Sequence, residues 1–318
     1  MSAQVSPTGA PIEVWRGCAN AWECDHVGHL NTRYYLVRVE QALAGLARQL
    51  SLTHVDDTAG THQLLVKAQH MRFIREARAA AALHATVQVL SWDRDEAVVL
   101  VLVHHSSSSQ VAATFRLSLA YVERRSGRSA PWPEQATRAA SALLCEAPRE
   151  AIPRGISLDD VNVTASLERA LQLGMRRTGI STITPEACDA HGHWRLSSFM
   201  GRVADSIPHL RNGEWREVLA NTMPDGPSRV GSALIEFQSV HVRWPRVGDA
   251  CEVRSALAGC TDRVTYASHW LLDPKTGAPW VAVRTVGIAL DLDARRSIPL
   301  TAAAQAAFRA ASVAGLAL

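Results

Sequence analysis

The chain has 318 residues, enough for about two domains and for a core that needs no disulfide or metal staple. Hydrophobic residues make up 47% and charged residues 20%, which excludes a disordered polymer. The net charge of +3, on scattered arginines, excludes the strongly basic surface of a nucleic-acid binder. The longest apolar run, AVVLVLV at 97–103, is strand length and too short to span a bilayer. The opening MSAQVSPTGAPIEVW lacks the basic and apolar regions of a signal peptide. Six cysteines without a CxxC pair match a reducing compartment, so a cytoplasmic location is expected.

In chain order, residues 12–23 read as a strand and are followed by Cys24-Asp25-His26-Val27-Gly28-His29. An amphipathic helix comes next, with Leu36, Val39, Leu43, Leu46 and Leu50 at steps of three and four. Strands are expected within 73–90, at 96–105 and at 111–122, the last two joined by the turn SSSSQ. Val98, Leu100 and Leu102 alternate with Val99, Val101 and Val103, so neither face of that strand is polar and both are expected to be covered. The segment 132–174 reads as a helix at 134–147, a stretch bounded by Pro and Gly at 148–155, and a helix at 159–173.

The pattern then starts again. Residues 175–186 read as a strand, and Cys188-Asp189-Ala190-His191-Gly192-His193 follows at an offset of 164 from the first copy. A helical stripe of Leu196, Met200, Val203, Ile207 and Leu210 comes after it. From there the offset is 168. Residues 241–258 echo 73–90, with Arg243 aligned to Arg75 and Arg246 to Arg78. Strands at 262–272 and 281–292 flank the turn DPKTGAP, and R-S-I-P at 296–299 echoes R-S-A-P at 128–131 before a closing Ala-rich helix. Each copy therefore reads strand, loop, helix, then about four strands, with short turns that imply antiparallel pairing. Each sheet buries the stripe of one long helix, in an α+β architecture of two tandem units, 1–150 and 151–318.

The segment between first strand and first helix carries the chemistry. Asn31 is placed to cap the helix, and Gly28 permits a sharp turn or a close ligand approach. Amide groups near Gly28 to Asn31 are expected to polarise a carbonyl at the helix mouth, with Asp25 as general base or nucleophile beside them. His29 reads as a residue that braces the loop or touches the carbonyl. Arg195, at the second helix start, opposes the helix dipole unless it meets an anion or Asp189.

The run Asp25-x-x-Gly28-His29-Leu30-Asn31-x-x-Tyr34-Tyr35 resembles the signature of the 4-hydroxybenzoyl-CoA thioesterase-like group of the hotdog superfamily. The resemblance implies a double hotdog, two antiparallel sheets each wrapped around a long helix. It implies hydrolysis of acyl-CoA or acyl-carrier-protein thioesters without a cofactor. It places catalysis on Asp25, with His29 and Asn31 beside it, and on Asp189 and His193 in the second copy. Gly28, Tyr34, Tyr35, Gly192 and Arg195 fall on its substrate-contacting positions, the acyl group lying between helix and sheet where the halves meet. Arg75, Arg78 and Arg243 are the surface cations open to the phosphates of coenzyme A. Val27 stands where plant acyl-carrier-protein thioesterases have an asparagine, and the second copy lacks the tyrosine pair. The first copy is the closer match, so Asp25 is expected to be the main catalyst.

Two other readings compete. A hotdog enoyl-CoA hydratase or dehydratase has its aspartate and histidine five apart, whereas here the spacing is four. A non-enzymatic acyl-thioester-binding or structural hotdog is the other. Cys188, His191 and His193 do not complete a four-ligand zinc set, so no metal is expected. Trp22, Trp194 and Trp244 are placed to line the sites. The partners expected are the thioester substrate and, if two chains pair again, a second copy in a homodimer.

Overall fold

The computed structural model describes residues 9–158, 162–211, 226–227, 229–316 and 318. It divides into two compact units, Met1–Ile152 and Pro153–Leu318, and each is α+β. Among the described residues, no helix is long and apolar enough to cross a membrane.

The first unit runs β1 (Ile12–Cys18), α1 (Thr32–Gln49), β2 (His62–Phe73), β3 (Ala82–Trp92), β4 (Ala97–His105), β5 (Val111–Glu123) and α2 (Glu134–Ser141). Its strands lie in the order β1-β3-β4-β5-β2, every neighbour antiparallel. Helix α1 packs on β1 and β3 through Leu36, Val39, Ala42 and Leu46. Each large apolar side chain buried this way contributes roughly 1.5–3 kcal/mol. Leu50 is buried just past the helix end, while Leu43 is only half-buried. On β4, Val99, Val101 and Val103 are fully buried, and Leu100 and Leu102 on the opposite side pack with Ala151. Arg72 of β2 holds that covering segment by donating to the carbonyls of Glu150 and Ile152 at 2.6 and 2.8 Å.

The second unit runs α3 (Leu167–Gln172), β6 (Arg176–Thr182), α4 (Leu196–Arg211), β7 (Val230–His241), β8 (Ala250–Cys260), β9 (Thr265–Leu272), β10 (Pro279–Asp291), β11 (Arg296–Ile298) and α5 (Ala302–Ala310). Its ladder is β6-β8-β9-β10-β7, with β11 on β10. Leu196, Met200 and Val203 of α4 are buried, and Ile207 and Leu210 are half-buried.

The two ladders match in their irregularities as well as their order. Val14, Lys67, Leu90 and Ala112 are the residues skipped by the register in the first unit. Thr178, Ile235, Ala258 and Trp280 are skipped in the second, at offsets of 164 for the first pair and 168 for the rest. A bulge costs a ladder hydrogen bond and re-aims a strand, and here the four positions correspond between the two units.

Several elements differ from the sequence reading. The strand expected over 12–23 ends at Cys18, and a 3-10 turn, Ala21–Glu23, follows. Likewise β6 ends at Thr182 ahead of the turn Pro185–Ala187. The helix expected over 134–147 ends at Ser141, because Leu144 pairs with Val89 of β3 in a parallel bridge. The helix expected over 159–173 begins only at Leu167, where the Ser166 hydroxyl caps the Arg169 amide; residues 159–161 lie outside the described residues. Strand β2 begins at His62, ahead of the first strand segment recognised in the sequence.

Candidate active site

The site is built around a buried acid, Glu23. The Asn20 backbone and side-chain amides both donate to Glu23 Oε2, at 3.0 and 3.1 Å. Its carboxylate pairs with the buried Arg38 guanidinium of α1, and Arg38 donates to the Cys18 carbonyl at 3.2 Å and lies 5.1 Å from the Trp15 ring centre. The Glu23 carbonyl accepts from the Asn31 amide at 2.9 Å. One residue thus joins the end of β1 to the start of α1.

Between those anchors the chain makes a tight loop. Cys24 and Leu30 form an isolated antiparallel bridge. The Asp25 amide donates to the His29 carbonyl at 3.0 Å, and the Gly28 amide to the Asp25 carbonyl at 3.0 Å. Gly28 has φ +84°, a left-handed conformation that glycine adopts without a Cβ clash. A Cβ built there meets nothing within 4 Å, so the turn presents an open side. The Leu30 amide ties the loop to the Ala77 carbonyl at 2.7 Å. Asn31 Oδ1 then accepts from the Arg33 amide at 2.9 Å and caps α1.

Within this loop, Asp25 Oδ1 accepts from the Val27 amide at 3.0 Å, and Oδ2 lies 3.2 Å from His29 Nδ1. That pair is in ion-pair range but off the line a hydrogen bond needs. Both side chains are about four-fifths buried, with 21% and 16% of their surface exposed. Burial pushes the Asp25 carboxyl up, yet contact with His29, the Val27 amide and His26 together hold it below the usual carboxylate range. The reciprocal holds for His29: burial pulls it down, and Asp25 outweighs that and raises it above the ordinary imidazole value. An ionised carboxylate therefore sits beside an imidazole poised to carry positive charge.

The amides expected to polarise a carbonyl turn out to be occupied. Those of Gly28, Leu30 and Asn31 hold the loop itself, and Tyr34 donates back to the Asn31 carbonyl at 2.8 Å. The reason is geometric: the Gly28 amide bonds within the turn, while those of Leu30 and Asn31 bond to the flanking carbonyls of Ala77 and Glu23.

The second unit repeats the loop bond for bond but uses its acid differently. Asp189 N donates to the His193 carbonyl at 2.8 Å, Gly192 N to the Asp189 carbonyl at 3.1 Å, Trp194 N to the Pro245 carbonyl at 3.0 Å, and Arg195 N to the Ala187 carbonyl at 3.1 Å. Gly192 has φ +78°. Here Asp189 Oδ1 accepts from two backbone amides, His191 at 2.8 Å and His193 at 3.0 Å. Ala187 stands where the first unit has Glu23, and Arg195, where it has Asn31, is exposed. The Ser198 hydroxyl donates to the Ala187 carbonyl at 2.9 Å.

Residues 19–140, which contain the whole Asp25 loop, match the family model of the thioesterase-like superfamily. The similarity is confined to this segment, which is less than half of the chain. A stretch of 125 residues is 28% identical to the L-carnitine dehydrogenase/betainyl-CoA thioesterase of Rhizobium meliloti, covering 39% of this chain and 25% of that protein. The chain thus spans about a quarter of the length of that curated relative. Among solved structures, a candidate oleoyl thioesterase from Lactobacillus plantarum superposes with a TM-score of 0.66 at 11% identity, over 92% of this chain and 98% of that one. An acyl-ACP thioesterase from Bacteroides thetaiotaomicron gives 0.60 at 11% identity, over 86% and 96%. At such identities the likeness is one of fold.

Around the Asp25 loop, Tyr35 is buried in an aromatic cluster with Phe73 and Phe115, at centroid distances of 5.3 and 6.2 Å. Burial pushes its hydroxyl up, so it stays a neutral phenol bonded to the Ala77 backbone. Tyr34 is half-buried, 6.0 Å from the Arg33 guanidinium. Arg75 donates to the Val111 carbonyl at 3.1 Å, and Arg78 lies 3.7 Å from Glu76. Arg243 lies 4.2 Å from the Trp280 ring centre and donates to the Pro279 carbonyl at 3.3 Å. Trp22 is exposed beside the loop, whereas Trp194 is buried against Phe199, 4.5 Å between ring centres. Burial raises the Cys24 and Cys188 thiols, which makes both poor nucleophiles.

Glu23 and Arg38 are the site residues that the motif did not single out. The signal was present in the spacing Asn20-x-x-Glu23, a capping-box pattern ahead of the loop.

Proposed function

We propose that this protein is an acyl-thioester hydrolase, acting on acyl-CoA or acyl-carrier-protein substrates, and that its chemistry resides at Asp25. The supporting observation is the Asp25–His29 pair on an open-sided turn at the mouth of α1, inside the segment that matches the thioesterase-like superfamily. The substrate carbonyl lies over the start of α1. The Thr32 amide occupies the first helical position, where no intrahelical acceptor exists, and donates to the carbonyl oxygen as its charge grows. The Asp25 carboxylate takes a proton from water as water attacks the carbonyl carbon; the tetrahedral intermediate then collapses and expels the thiolate. His29 keeps Asp25 ionised. In the second unit Asp189 serves as a loop fastener, since its Oδ1 already accepts from two amides. The shared bulges support reading the two units as a duplicated hotdog.

Release of free thiol from a panel of acyl-CoA esters tests this proposal. The full chain is expected to hydrolyse at least one of them and Asp25→Asn to lose that activity. No thiol release from any acyl-CoA or acyl-carrier-protein donor, with saturable binding of the same donors, would favour a binding protein instead.

A further inference from the structure

A second site is written into the differences between the two units. In the first, Trp15 lies on Arg38, and Arg38 is neutralised by Glu23. At the equivalent positions, 164 residues on, the second unit has Gly179, Arg202 and Ala187. The indole and the internal carboxylate are both gone, and the arginine is kept. Gly179 and Arg202 instead line a cleft of about 350 Å³ between the edge strand β6 and α4. Arg177, Thr178, Arg202, Asp205 and His209 give it polar walls, and Ile180 and Val253 an apolar one. Asp205 Oδ2 lies 3.1 Å from Arg202 Nη2, but Asp205 is mostly exposed, and a guanidinium has five donors, enough for two carboxylates.

The floor of the cleft has changed with its mouth. Thr178, the bulged residue of β6, is buried, and its hydroxyl lies 2.8 Å from that of Ser255. Ser255 Oγ lies 2.8 Å from Nδ1 of the fully buried His269, and His269 Nε2 lies 3.5 Å from the Thr285 hydroxyl. The equivalent residues of the first unit are Val14, Val87, Val101 and Leu117. Four apolar positions have become one hydrogen-bonded chain, and the Thr178 hydroxyl also reaches the Val253 carbonyl at 3.4 Å, which holds β6 firmly beneath the cleft. A polar chain in a core is costly unless every member is bonded, so its presence under a cleft calls for a role.

We infer that this cleft binds a small organic carboxylate, gripped by Arg202 in place of the missing internal acid, with Ile180 and Val253 against its apolar part. A carboxylate is the group that the retained arginine holds in the first unit, and the apolar wall favours an organic acid over an inorganic anion. The inference stands apart from the hydrolytic reading, since no residue of the Asp25 loop takes part.

Calorimetric titration of the full chain with butyrate, benzoate and inorganic phosphate, at constant ionic strength, reads it directly. At least one carboxylate is expected to bind saturably and phosphate more weakly. Arg202→Gln is expected to weaken that binding by roughly 10- to 100-fold. Gly179→Trp with Val253→Ala recreates the Trp15–Ala85 pair of the first unit and is expected to abolish it. The companion alanine is needed because a Cβ at Gly179 stands 3.1 Å from Val253. Circular dichroism checks that both variants remain folded. If neither carboxylate binds, if phosphate binds more tightly, or if folded Arg202→Gln binds as the parent does, the inference is overturned.

Discussion

At the residue scale, Asp25 and His29 set each other's charge. The motif singled out both as candidates, because the acid and the histidine stand four apart around a glycine ahead of a helix. It could not show that the loop closes on its own amides, since that depends on a φ of +84° and on partners as distant as Ala77. The Asp25 carboxyl titrates below its unfolded value, so its share of stability is present above that value and is lost as pH falls through the lowered one. His29 titrates above its unfolded value, so its share is complete below that value and is lost as pH rises through the raised one. Between the two folded values both groups are charged. Replacing His29 by Gln removes the main influence that lowers Asp25 and leaves burial to raise it. The acid limb of the kcat/KM profile is expected to move to higher pH, and the Asp25 carboxyl signal in NMR to titrate higher. A limb that stays in place would mean that another group sets it.

At the scale of elements, the start of α1 concentrates most of the local energetics. Asn31→Ala removes the cap on the Arg33 amide and is expected to cost about 1 kcal/mol in denaturant unfolding. Glu23→Ala strands the buried Arg38 guanidinium and is expected to cost about 3–5 kcal/mol, measured the same way. Equal losses in the two variants would remove Glu23 from its place as the anchor. These helices were readable because their apolar residues recur at three and four. Strand β2 was not, and the reason is physical. Its register skips Lys67, which breaks the alternation, and it buries Gln63, Gln69, His70 and Arg72, which reads as polar sequence. Helix 134–147 was overextended for the opposite reason: alanines favour helix locally, but pairing of Leu144 with Val89 redirects the chain.

At the scale of the molecule, the sequence shows CDxxGH-like loops 164 residues apart, and the ladder bulges of the two units correspond at offsets of 164 and 168. What the sequence repeat could not convey is divergence of use. One loop pairs its acid with an imidazole, while the other lays its acid across two amides. Asparagine keeps one carbonyl oxygen for the amides of each loop, so in Asp25→Asn and Asp189→Asn both turns are expected to hold while the charge is lost and the second oxygen becomes an N–H donor. The decisive measurement is kcat/KM of these two variants on the best acyl-CoA substrate. Asp25→Asn is expected to lose about 10²- to 10⁴-fold and Asp189→Asn to stay within about threefold of the parent. Comparable losses in both, or full activity in Asp25→Asn, would contradict catalysis at the first loop.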